Sequence, residues 1–174
     1  MGTNHPDGVA CQLHLPMQWQ AAGELSPPQL ERLMQVNAAL LHTHAFLDTP
    51  APADDAAPAT RLEAKVDLAL ALLGKLLDVS AALPLAQPLT LSANAAEWLS
   101  KSDPGATPSI LLSLWLSPQL PQPLTLPAHI RSAHKEGGQW RLHAEFHDLG
   151  ESVQEHLTRT VFRYHRRALQ ARRG

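Results

Sequence analysis

The stretch from Thr60 to Leu83 limits what this chain can fold into more than any other. Thr60 followed by Glu63 is a capping-box start, in which the hydroxyl accepts from an orphan helix N–H and the carboxylate reaches back. From there Leu62, Val66, Ala69, Leu73, Leu76, Ser80 and Leu83 advance by alternating fours and threes. That spacing is the seam of a left-handed coiled coil. Further apolar rows (Leu68, Leu72, Val79 and Ala82, with Leu70 and Leu77) leave one narrow polar stripe through Glu63, Asp67, Gly74 and Asp78. A helix this apolar must be covered on several sides. At about 1.5 Å per residue it spans roughly 36 Å, the width of a small domain. Two arrangements cover it: a bundle shared with other copies of the chain, which is the expectation, or the buried core of a monomer.

A second heptad segment precedes it. Ser26-Pro27-Pro28-Gln29 places an N-cap Ser, a Pro at the first helical position and a Gln three residues on. Leu30, Leu33, Asn37, Leu40, His44 and Leu47 follow at the same alternating spacing. Asn37 falls in that seam. A buried amide there fixes register and partner number between helices, or it bonds within its own domain. Thr49 to Ala59, rich in Pro, Ala and Asp, links the two helices. The expected oligomer seam is Leu33, Asn37 and Leu40 with Leu62, Val66, Ala69, Leu73, Leu76 and Leu83.

Either side of this pair the period is two. Leu13, Leu15, Met17 and Trp19 alternate with polar residues as a strand, and Pro16 confines it to an edge or bend. Pro88 to Ser100 holds two short strand-like pieces, Asp103-Pro104-Gly105 is a turn, and a strand follows from Ser109 to Ser117. Leu124, Leu126, Ala128 and Ile130 face inward with Trp140, Leu142, Ala144 and Phe146. Equal parity on the two strands requires an odd loop, read as Glu136-Gly137-Gly138. This register sets His129 opposite Glu145 and Arg131 opposite His143 as an outer-face polar cluster. Asp148-x-x-Glu151 and Ser152-x-x-Glu155 both resemble capping boxes for a final helix, whose apolar face is Val153, Leu157, Val161 and Tyr164.

The chain of 174 residues is one domain, an α+β protein that is mainly β. Barrel strands are expected at about 11–21 and 87–148, a helical insertion at 26–83 and a closing helix at 150–171. Aromatic content of 5% against 44% hydrophobic points to Leu and Ala packing, as helical oligomers use. A net charge of −2 argues against general affinity for nucleic acid or acidic membrane. With Cys11 alone, no intrachain disulfide forms and a reducing cytoplasm is expected. The amino terminus is no secretory signal, and no uncharged apolar run reaches bilayer length, so no membrane insertion is expected. Ten histidines raise a metal hypothesis, but their spacing makes no chelating motif. They read as surface residues, with neither metal nor cofactor expected. The cluster of His129, Arg131, His143 and Glu145 lacks a nucleophile and a defined pocket, so no enzymatic activity is expected. The arginines of the last helix read as solvated charge, as a docking surface for an acidic partner, or as a nucleic-acid contact.

The order of these pieces resembles a PilZ domain. The segments that carry the likeness are Leu91 to Trp98 (LSANAAEW) and Trp140 to Leu149 (WRLHAEFHDL). A helix pair between first strand and remaining barrel is similar to the tetrameric, atypical branch. The resemblance implies a six-stranded antiparallel barrel with inserted heptad helices and a cytoplasmic bacterial role linked to cyclic di-GMP. Binding members carry Arg-x-x-x-Arg before the barrel and Asp/Asn-x-Ser-x-x-Gly on it. Here no Arg or Lys lies between Met1 and Glu31, and Thr90, Ser92 and Ala95 stand where the second motif would be. Guanidinium forks are what pair two phosphates and guanine edges. Their loss predicts no dinucleotide binding in the usual mode. The resulting expectation is a non-catalytic oligomeric adaptor, a tetramer, acting with a signalling protein in control of motility, type IV pili or virulence. The alternative is a cyclic di-GMP receptor using non-standard residues such as Arg131 or the terminal arginines.

Overall fold

The computed structural model describes residues 9–48, 66, 69, 83–106, 108–118, 120 and 122–172. Six antiparallel strands close a barrel in the order β1-β2-β3-β6-β5-β4. They are β1 (Ala10–Ala21), β2 (Ala86–Ser92), β3 (Ala95–Ser100), β4 (Ser109–Leu114), β5 (Leu124–Glu136) and β6 (Gln139–Phe146). Helix α1 (Pro27–Leu47) follows β1 and helix α2 (Gly150–Ala171) closes the chain.

Pro16 sits where β1 changes partner. Ala10 to Pro16 pair with β2, and Met17 to Ala21 pair with β4. The bend that its fixed φ and missing N–H favour is therefore where one strand turns the barrel's corner. The interior is filled by Leu89, Leu91, Trp98, Ile110, Leu112, Leu114, Leu124, Leu126, Ala128, Leu142 and Ala144, all buried. These are alternate positions of their strands, as a period of two requires.

The β5–β6 hairpin departs from the expected register in one place. His129 does face Glu145, but the pairing shifts between Ile130 and Ser132, so Ser132 rather than Arg131 faces His143. Arg131 is the extra residue of a β-bulge, and a bulge changes parity. The loop is consequently two residues, with Glu136 paired to Gln139 and Gly137 and Gly138 at φ 56° and 85°. Two successive positive φ values make the tight hairpin turn whose twist matches the strands.

Helix α1 begins as its sequence indicates: the Ser26 N–H donates to Gln29 Oε1 at 2.9 Å. Helix α2 begins at Gly150 with Leu149 at the cap and no side-chain cap bond, so neither expected capping box forms. Asp148 instead adopts φ 54° and receives His147 Nδ1 at 2.8 Å. Val153, Leu157, Thr160 and Val161 are the buried residues of α2, which packs against α1 and against β1 and β2 of the barrel.

Of the seam expected on α1, Asn37 and Leu40 are buried within the subunit. Asn37 is fully buried, donating from Nδ2 to Thr125 O at 2.7 Å and accepting the Thr125 N–H at 3.1 Å. Strand β5 starts before β6 can reach it, pairing with β6 only from Ala128. The Asn37 amide therefore satisfies backbone groups on that open edge. Leu40 joins the core at 7% exposure, and Leu33 is half-buried. Of the second heptad stretch, Val66 and Ala69 are helical and exposed and Leu83 is exposed. Leu62, Leu73 and Leu76 lie outside the described residues, as does the linker. No helix among the described residues is long and apolar enough to cross a membrane.

Candidate functional site

Three places on the subunit concentrate polar chemistry. The first is the turn between β2 and β3. Ser92 Oγ accepts the N–H of Ala95 at 2.9 Å and of Asn94 at 3.3 Å, and donates to Ala95 O at 3.1 Å. From α2, Gln154 Nε2 donates to Ala93 O at 3.0 Å and to Asn94 Oδ1 at 2.8 Å. Ala95 is buried at 3% exposure. Beside the turn, half-buried Thr90 faces Glu97, and Glu97 faces His143. Arg141 ties Glu97 at 2.9 Å and Glu136 at 2.6 Å.

The second is a clamp between the helices, with residues more than a hundred positions apart. Asp48, at the end of α1, receives Arg167 at 2.6 Å and Arg163 at 3.4 Å. Arg163 also donates to Ala45 O, and Arg167 to Asp48 O. Cations at a helix carboxy terminus meet its unpaired carbonyls. These two arginines are therefore structural, and the solvated-charge reading fails for them. Burial raises the Asp48 carboxyl, but the hydrogen bond and charge of Arg167, with His44 and Arg163, hold it below its usual range. His44 is buried at 4% exposure, not at the surface, with Nε2 2.7 Å from Tyr164 Oη and Nδ1 without a partner. Burial lowers its affinity for a proton, as do Arg163 and Arg167, while Asp48 opposes them.

This fixes a pH dependence. A histidine whose folded pKa is depressed contributes stability in full above its unfolded value of about 6.5 and loses it as pH falls through the folded value. Urea midpoints for the wild type will fall from pH 6.5 downward, and His44→Gln will flatten that part of the curve. Equal slopes in both proteins would refute the assignment.

The third place is a cleft of about 290 Å³ between the β1–α1 connection and the rim of β4, β5 and β6. His129 and His147 stack within it, ring centroids 4.1 Å apart and planes tilted by 14°. Ser109 Oγ is 3.2 Å from His129 Nδ1. The expected outer-face cluster thus divides. Arg131 pairs with Glu145 at 2.7 Å, His129 turns into the cleft, and His143 joins the Glu97 row. Against expectation, His129 does line a pocket. Ser109 and His129 are a hydroxyl and a base within reach, but the carboxylate of Asp148 holds His147 instead. A nucleophile's base needs its own orienting group. Among the described residues no group of three or more side chains suits a metal ion. Cys11 is buried, with its thiol pushed up to about 11 by desolvation, and so stays protonated and unreactive.

A family model described as an atypical PilZ domain, cyclic di-GMP receptor, matches residues 48–173. The chain belongs to the atypical PilZ family. Among solved structures it is similar to a pathogenic protein of Xanthomonas campestris, described as a tetrameric PilZ domain self-assembled via a helical bundle. That likeness has a TM-score of 0.75 and 27% identity, and covers 95% of this chain and 93% of the other. No curated protein matches the chain at a significant level. The PilZ family is thus one of receptors in cyclic di-GMP signalling.

Within this PilZ barrel, Thr90, Ser92 and Ala95 lie together at the β2–β3 turn. The cleft pair of His147 and Ser109 was not legible in the sequence. His147 falls one residue past β6, where strand alternation gives no direction. Its signal was adjacency to Asp148, a short acidic residue tolerant of positive φ.

Proposed function

We propose that this PilZ chain is a non-catalytic, cytoplasmic adaptor that assembles as a tetramer through the leucine seam of its 60–83 segment. It acts in cyclic di-GMP-linked control of motility, type IV pili or virulence by contacting another signalling protein. It does not bind the dinucleotide in the usual mode. The observation that carries this reading is the state of the β2–β3 turn. The Ser92 hydroxyl and the Asn94 side chain are occupied within the fold, Ala95 replaces glycine, and the charged residues opposite Thr90 and Ala95 in the neighbouring strands are the Glu97 and Glu145 carboxylates. Among the described residues a bis-phosphate ligand has no free guanidinium there, since Arg141 is held between two carboxylates and Arg131 by Glu145. Assembly is supported by the tetrameric neighbour and by Val66 and Leu83, which are about half exposed on the subunit.

Light scattering should return about four times the 18.9 kDa of one chain, and Leu73→Asp with Leu76→Asp should give smaller particles with strand content intact. Calorimetry with cyclic di-GMP should show no heat in the low-micromolar range. Micromolar heat would establish the alternative, a receptor working through non-standard residues, and a wild-type mass of one chain would remove the oligomer.

A further inference from the structure

The cleft beside the stacked histidines has a chemistry that dinucleotide signalling leaves unused. Its walls are apolar in part, from Leu25, Leu30, Leu111 and Pro127, and it also holds two carboxylates, Glu24 and Asp148. Both residues are exposed, and no Lys or Arg lines the cleft among the described residues. Asp48, Glu97, Glu136, Glu145 and Glu155 each hold an arginine of this chain, whereas Glu31 and Asp103 accept from Gln35 and the Gly105 N–H. Asp148 spends Oδ2 on His147, which leaves Oδ1 for a further donor. The His147 ring is fixed by that bond and by the stack on His129.

A flat fixed ring, two carboxylates and a partly apolar wall match one side chain in particular. A guanidinium is planar, carries several donors in a rigid fork, and stacks on rings. Its methylene stem covers apolar surface while the charge stays wet. A metal ion fits worse, because no group of three or more suitable ligands converges among the described residues.

We propose that this cleft seats an arginine side chain presented by the partner protein. The inference rests on the adaptor reading and gives that partner a chemistry. The probe is N-acetyl-arginine N-methylamide, titrated into full-length, perdeuterated, 15N-labelled protein and followed by TROSY spectra. The control is the same compound built on citrulline, which is isosteric and neutral. Shifts confined to Gly23–Leu25, Ser109–Leu111, His129 and His147–Asp148, half-saturating at low millimolar arginine probe, are the expected result. The citrulline compound should shift these signals at least tenfold less. Asp148→Asn, which tolerates the same positive φ, and Glu24→Gln should each weaken the arginine response severalfold while leaving the spectrum folded. Equal response to both compounds, no response, or a response unchanged in both variants overturns the proposal. The titration involves neither dinucleotide nor assembly, so it can fail while the mass and calorimetry results stand, and the reverse.

Discussion

Trp98→Ala will destabilise the protein by about 3–5 kcal/mol, the range for removing a large aromatic side chain from a packed core. Trp98 is 2% exposed on β3, between Leu89 of β2 and Leu142 of β6 in the sheet. Its ring lies 6.5 Å from that of Trp19. No neighbouring strand can move inward to fill the space, because a closed barrel has every strand paired on both sides. The indole Nε1 is also buried without a partner. An unsatisfied buried donor costs about 1–3 kcal/mol, so Trp98→Phe, which deletes that donor with little volume, should cost no more than about 1 kcal/mol. Urea denaturation at one protein concentration measures both. A Trp98→Phe loss as large as that of Trp98→Ala would mean that the indole N–H is satisfied in solution.

Asn37→Ala should cost about 2–4 kcal/mol, because it removes two hydrogen bonds and strands both Thr125 backbone groups. The carbonyl and N–H belong to the part of β5 beyond the reach of β6. Asn37→Asp separates the two bonds. A carboxylate still accepts from the Thr125 N–H but repels the Thr125 carbonyl, and burial favours its protonated form. Its folded pKa is therefore raised, and the variant should regain stability as pH falls through that value. Neither substitution should change the particle mass. A change in mass without loss of stability would return Asn37 to a seam between copies.

Asn37 was legible as a buried amide at a heptad position, with an intermolecular and an internal partner both open. Spacing along one helix says which face a residue occupies and nothing about what covers that face. The partner, Thr125, is 88 positions away. The same holds for Asp48 with Arg163 and Arg167, two arginines of a row that reads as solvated charge and that clamp the end of α1. The hairpin erred by a single residue, since a bulge at Arg131 leaves the inward apolar pattern intact while reversing parity behind it.

What the sequence determined by itself was local. The alternation of β1, β5 and β6, the Pro16 bend, the Ser26–Gln29 start of α1, the double-glycine turn and the inward face of α2 all depend on residues within a few positions of one another. Backbone sterics and side-chain periodicity fix such features before any distant segment arrives. Only tertiary structure decided the rest: the closure of β1 onto both β2 and β4, the amide clamp at Thr125, and the cleft where His129 meets His147. Those arrangements join chain segments whose separation leaves no periodic trace, and their partners are chosen by which polar groups burial would otherwise leave unpaired.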